Sequence, residues 1–298
     1  MVADTSGGPD TAAPRSGRVR IAGRQVHYVE AGTGRPVLLI HGMAGSWTHW
    51  ARTIPFLARR HRVVAIDLPG FGDSQARLNG CSFDAMVDTV DRVRALLDLD
   101  RPVVIGHSMG APVALRYAAT HPDHVTATIA VCGAVSWFAL PARSGPFGAL
   151  RRRLDPANTA VLFEVLTAGV PVPTALRRVV ARHDTLRRAA LWPYLAGPNN
   201  DEETASLLLA GAGSAGALPT VASIALADPF DRLDRIRCPV LCVGTAHDRV
   251  SPPRLVRALA ERIPSAENAT IPHCGHLPML EQPGAFHAVV DGYLRRHT

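Results

Sequence analysis

A serine between two glycines, in Gly106-His107-Ser108-Met109-Gly110, constrains this chain more than any other segment. The apolar run Pro102 to Ile105 leads into it, and Ala111 to Ala119 after it can carry a helical apolar face. The pattern reads as strand, sharp turn, helix. Such a turn is too tight for bulky neighbours, so its flanks take glycine and the serine hydroxyl is pushed outward. The helix behind it offers unpaired N–H groups and a positive dipole end, where negative charge is stabilised. Ala212-Gly213-Ser214-Ala215-Gly216 fits a looser version of the string, but no strand-like run precedes it, so context selects Ser108.

A serine hydroxyl becomes a nucleophile at neutral pH only beside a base. Imidazole suits the task, and a carboxylate is needed to hold its tautomer. On a strand–turn–helix elbow the partners follow in the order Ser, Asp/Glu, His. The run Pro239 to Gly244 ends in Thr245-Ala246-His247-Asp248, which puts Asp248 where a strand stops. Standing alone, Asp248 would read as a turn or helix-cap aspartate. Of thirteen histidines, two lie in the Pro- and Gly-rich loop after the strand-like Ala269 to Ile271: His273 and His276. Either could be the base on position alone. The oxyanion formed on attack needs at least two N–H donors. The backbone of Met109 is one. Met43, in the loop His41-Gly42-Met43-Ala44-Gly45 after the run Pro36 to Ile40, is the other by position.

Taken together, His41-Gly42-x-x-Gly45, Asp67 to Ser74, Gly106 to Gly110, Gly244 to Asp248, and Gly275-His276-Leu277-Pro278 with Glu281-x-Pro283 resemble the α/β-hydrolase fold superfamily, in its serine-nucleophile subgroup with a helical cap. The resemblance implies a triad of Ser108, Asp248 and His276, with His276 preferred over His273, and oxyanion donors at the Met43 and Met109 N–H groups. It also places Asp73 and Ser74 on a loop bordering the site, where short polar side chains more commonly stabilise a turn.

The organisation agrees with an α/β fold: a mostly parallel central sheet with helices on both faces and a helical cap inserted late in the chain. Residues 1–17 cannot bury a core and read as a disordered tail without the apolar stretch of a signal peptide. Arg18 to Ile21 and Gln25 to Glu30 read as a hairpin, and Pro36 to Ile40, Val63 to Ile66, Val103 to Ile105, Val125 to Val131, Val240 to Val243 and Ala269 to Ile271 as buried strands. Helical patterns lie between them at 47–60, 82–99, 252–262 and 285–296. Strand and helix alternating in this way imply a parallel sheet covered on both faces. Across 135–228 the strand signal disappears, and prolines such as Pro141, Pro146, Pro156, Pro171, Pro173, Pro193 and Pro198 punctuate a stretch rich in Ala, Leu and Arg. This divides the chain into a core of 18–134 and 229–298 and a cap of 135–228 that would roof Ser108.

Composition excludes several classes. The net charge of +7 comes from arginine alone, spread along the chain, with only 5% aromatic residues. That pattern does not suggest nucleic-acid binding. No stretch of eighteen apolar residues predicts a membrane span. Five cysteines match neither a disulfide framework nor a zinc motif, which suits a reducing cytoplasm. Because the chain itself supplies nucleophile, base, acid and oxyanion donors, no metal or organic cofactor is expected.

The expected function is a serine hydrolase acting on a carboxylic ester, thioester or lactone of a small to medium apolar substrate. Trp137 and Trp192 suggest an apolar pocket, without defining which residues bind substrate. The alternatives are a carbon–carbon bond hydrolase of diketone-like substrates, acyl transfer, a perhydrolase side activity, and a non-catalytic small-molecule receptor. Carbon–carbon hydrolases of this superfamily tend to carry Asn before the serine and Trp after the histidine, where this chain has His107 and Leu277. Its dehalogenases and most of its epoxide hydrolases use Asp where Ser108 stands.

Overall fold

The computed structural model describes residues 13–76, 81–134, 167, 169–170, 172–196, 200–226, 228–264 and 266–298. Eight strands form one sheet: β1 (Arg15–Ile21), β2 (Arg24–Ala31), β3 (Arg35–Ile40), β4 (His61–Ile66), β5 (Val103–His107), β6 (Ala127–Val131), β7 (Val240–Thr245) and β8 (Ala266–Ile271). Their spatial order is β1-β2-β4-β3-β5-β6-β7-β8. Only β2 runs against its neighbours; every pairing from β4 to β8 is parallel.

The apolar runs of β3 to β7 are buried on both faces because helices cover both. Side chains alternate between two cores, Leu38 and Ile40 on one side, Val37 and Leu39 on the other. The first core takes α2 (Phe83–Leu96), α3 (Gly110–Thr120) and a helix at Pro253–Ala260; the second takes Trp50, Ile54, Leu57 and the C-terminal helix Pro283–His297. Ser82 begins α2 by accepting the Ala85 N–H, and Met86, Val90 and Val93 form its buried stripe.

Three sequence expectations change. The helix expected over 47–60 is a 3₁₀ turn at Trp47–Trp50 followed by the single turn α1 (Ile54–Leu57). Pro55 has no N–H to extend a helix from the preceding turn, so the chain restarts there. Leu96, which continues the apolar helical spacing of Met86, Val90 and Val93 in the sequence, is exposed, 53% of it in solvent. The tail ends earlier than residue 17, because Arg15, Ser16 and Gly17 pair with Glu30, Val29 and Tyr28.

Between β6 and β7 the described residues form α4 (Thr174–Arg182), α5 (Asp184–Leu191), α6 (Glu202–Leu209) and α7 (Ala217–Leu226). Residues 135–166, the first third of the expected cap, lie outside the described residues, and Trp137 with them. Later in the chain follow α8 (Pro253–Ala260), α9 (Pro278–Glu281) and α10 (Pro283–His297).

Candidate active site

Parallel pairing of β5, β6, β7 and β8 sets their carboxyl ends side by side, where open α/β sheets bind ligands. Ser108 follows β5 directly. Its φ of +51° is the left-handed conformation a sharp elbow needs, and its N–H donates to Val131 O at 2.8 Å. The flanking glycines are required by contact: a Cβ on Gly106 would stand 2.1 Å from Gly110 O, and one on Gly110 would stand 2.5 Å from Ile40 O.

The loops after β7 and β8 bring Asp248 and His276 to this serine. Ser108 Oγ lies 2.9 Å from His276 Nε2, and His276 Nδ1 lies 2.8 Å from Asp248 Oδ2. A carboxylate only accepts, so Nδ1 carries the proton and Nε2 of the neutral ring can accept from Oγ. The other carboxylate oxygen, Oδ1, accepts the N–H groups of Val250 and Ser251, both at 2.8 Å. Asp248 and His276 are buried, at 5% and 2% exposure. The arrangement can move a proton from Ser108 to His276 while Asp248 steadies the resulting imidazolium.

His276 is also held through its backbone. Its N–H donates to Tyr194 O at 2.6 Å, and its carbonyl accepts from His107 Nε2 at 2.8 Å. His107 Nδ1 is buried without a partner, and burial holds this ring well below the usual histidine range, so it is neutral. Glu281, fully buried, accepts three backbone N–H groups: Ala196 at 2.8 Å, and Gly275 and Leu277 at 3.2 Å. It fixes the loop carrying His276 and ties it to the inserted segment.

The loop after β3 is a turn closed by Gly45 N–H to Gly42 O at 3.2 Å. His41 lies beneath it, donating from Nδ1 to Gly42 O at 2.7 Å and accepting the Leu68 N–H on Nε2 at 3.0 Å. Both roles need the neutral ring, and burial lowers its pKa accordingly. Met43 in this loop lines a cavity of about 210 Å³ together with Ser108 and His276. Leu176, Val180 and Leu191 of the inserted helices supply apolar wall on the far side.

Other expectations separate cleanly. His273 is exposed and packs edge-on against His247 at 5.9 Å; the structure brings His276, not His273, to Ser108. Ser214 Oγ donates to Gly211 O within its own turn. Asp73 and Ser74 stabilise a turn: the Asp73 N–H donates to Asp67 Oδ2, and Ser74 Oγ donates to Asp67 O. Trp192 does not line the cavity; its carbonyl accepts from Arg249 at 2.6 Å. All five cysteines are unbridged.

Among the described residues, two groups of metal-ligating type, invisible to sequence spacing, lie together: His27 with Asp67 and Asp73, and Cys132 with Asp248 and His276. In each the imidazole already donates to the carboxylate, at 2.8 Å.

Sequence reasoning missed the roles of His107, Tyr194 and Glu281. Tyr194 and His107 act on main-chain atoms of His276, for which no side-chain pattern exists. Glu281 did leave a signal: a lone carboxylate in the apolar run Leu277-Pro278-Met279-Leu280.

Fold and site together define a class. The family described as alpha/beta hydrolase fold matches residues 35–283, and the chain belongs to that family of hydrolases. Over 283 residues it is 30% identical to the putative carbamate hydrolase RutD of Caulobacter, covering 94% of this chain and 98% of that one. It is 40% identical to a soluble epoxide hydrolase of Corynebacterium over 105 residues, 35% of this chain and 37% of that one. Among solved structures it resembles a malate-bound esterase from Thermogutta terrifontis, with a TM-score of 0.71, 25% identity, and coverage of 96% of this chain and 100% of the other.

Proposed function

We propose that this protein is a serine hydrolase cleaving a carboxylic ester, thioester or lactone of a small to medium apolar substrate. Ser108 attacks the carbonyl while His276 accepts its proton, and Asp248 stabilises the imidazolium. The N–H groups of Met43 and Met109 receive the oxyanion. His276 then protonates the leaving alcohol or thiol, and a water activated by the same ring releases the acid from Ser108. The observation that carries this reading is the unbroken hydrogen-bonded series from Ser108 Oγ through His276 to Asp248, opening into an apolar cavity. The inserted helices, which line that cavity, select the substrate.

The carbamate hydrolase matched over most of its length offers a second acyl class on which the same atoms could act. Ser108 disfavours epoxide opening, since most of the family's epoxide hydrolases attack through aspartate.

The test is fluorophosphonate labelling combined with a panel of ester, thioester, lactone, carbamate and vinylogous diketone substrates. Ser108→Ala should abolish labelling and lower ester turnover by roughly four to six orders of magnitude, the scale of losing a triad member. His276→Ala should be about as damaging, and the double variant no worse than either. Full labelling of the Ser108→Ala protein overturns the assignment. A diketone cleaved much faster than every ester moves the protein to the carbon–carbon class.

A further inference from the structure

The strand between those carrying Ser108 and Asp248 is β6, and the residue at its carboxyl end is Cys132. The sheet order therefore places this cysteine between the serine and the carboxylate. Its Sγ, an Asp248 carboxylate oxygen and a His276 ring nitrogen all lie within 4.8 Å of one another. The thiol is buried at 1% exposure, facing the Asp248 carboxylate. The Thr245 hydroxyl donates to Gly275 O at 2.6 Å, so its proton is not available to Asp248.

The backbone gives a second, independent observation. Cys132 has φ +49°, a left-handed conformation that is strained for any side chain except a few short polar ones. Glycine would remove the strain, and the next residue is one: Gly133, where a Cβ would stand 2.2 Å from Ala111 Cβ. The chain thus spends its glycine on packing α3 and keeps a side chain at the strained position. The Cys132 N–H, bonded to Val243 O at 2.8 Å, locks that conformation onto β7.

We propose that Cys132 is a positioning residue for Asp248: its S–H donates to the carboxylate and limits how strongly that carboxylate holds the His276 imidazolium. The inference rests on the triad reading above. Asp248 Oδ2 serves His276 and Oδ1 serves two backbone N–H groups. Among the described residues the thiol lies beside that carboxylate as a further side-chain group able to donate to it. As expected for a thiol facing a buried carboxylate, desolvation and the Asp248 charge push its pKa well above the usual range, so it remains a neutral donor. The other titratable groups facing this pair are Cys274, whose thiol burial also raises, His107 and His49, both held neutral by burial, Tyr194, and Glu281 behind the loop. None changes charge with substitution at 132.

The test compares wild type with Cys132→Ser, Cys132→Ala and Cys132→Gly. A hydroxyl is a stronger donor than a thiol, so serine weakens the hold of Asp248 on the imidazolium. The acid limb of kcat/KM then moves to lower pH by a few tenths of a unit. Alanine and glycine remove the donor and move it to higher pH. Glycine also relieves the backbone strain, so at least one donor-free variant folds. The downfield proton resonance of the His276 Nδ1–H···Asp248 bond, read without substrate, should order the variants the same way. Coincident acid limbs and an unmoved resonance, with only thermal stability altered, would reduce Cys132 to a space-filler and overturn the proposal. Failure of wild-type Ser108 to label with fluorophosphonate is a different result: it removes the triad reading, and this inference falls with it.

Discussion

Glu281 shows how much of the site depends on one side chain outside the Ser108–His276–Asp248 series. A carboxylate accepting three backbone N–H groups in a buried loop stabilises by charge-assisted bonds, each stronger than a neutral one. Glu281→Gln replaces one acceptor oxygen with a donor that faces an N–H. Equilibrium urea unfolding should show a loss of about 2–3 kcal/mol, and kcat/KM should fall as the loop around His276 loosens. Unchanged stability would mean that backbone contacts alone hold the loop. At this scale Ser108 and Asp248 were legible because each follows an apolar run that ends abruptly, while His276 was preferred only through the family resemblance. His273 and His276 could not be separated by spacing; only the fold turns one toward Ser108 and the other to solvent. His107 was legible solely as a motif position, because its partner is a carbonyl 169 residues away.

Among the elements, the parallel strands were legible because burial on both faces demands continuous apolar runs. The stretch 47–60 was not, because the apolar spacing of a helix persists there while Pro55 breaks its hydrogen bonding. The inserted segment announced itself as helical, but which of its residues meet the cavity depends on packing that periodicity cannot supply. Val180 of α4 lines the wall, which yields a prediction. Val180→Phe should shorten the preferred acyl chain, changing the butyrate-to-decanoate ratio of kcat/KM by about tenfold. Labelling of Ser108 by a small fluorophosphonate should persist. An unchanged ratio would show that this helix does not select the substrate.

Viewed as a whole, the molecule holds a row of buried imidazoles behind the site. Ring centroids of His41 and His49 lie 6.3 Å apart, those of His49 and His107 5.6 Å, and those of His107 and His276 4.9 Å. Burial lowers His41, His49 and His107, His49 to about 3 from an ordinary 6.5. The unfolded chain therefore binds more protons than the folded one below pH 6.5. Stability should be level from pH 8 to 7 and fall as the pH drops from 6.5 toward 3. The limiting slope is about 1.4 kcal/mol per pH unit for each neutral-locked group. Asp67, whose pKa is lowered by its bonds to His27 and two backbone N–H groups against the cost of burial, adds a further loss only at the acid end. Thermal midpoints measured from pH 8 to 5 check this; a flat profile down to pH 5 would contradict it. The charge of +7 gave no hint of this behaviour, because the groups responsible carry no charge in the folded protein.

The bond from the His276 N–H to the Tyr194 carbonyl, and that from the Ala196 N–H to the Glu281 carboxylate, join the inserted segment to the loop that carries His276. A Cβ on Gly275 would stand 2.5 Å from Tyr194 O, so the seam admits no slack. Anyone grafting a foreign inserted segment onto this scaffold must therefore leave the stretch from Leu191 to Ala196 with the host. A transplant cut downstream of it would carry away part of the address of the imidazole itself.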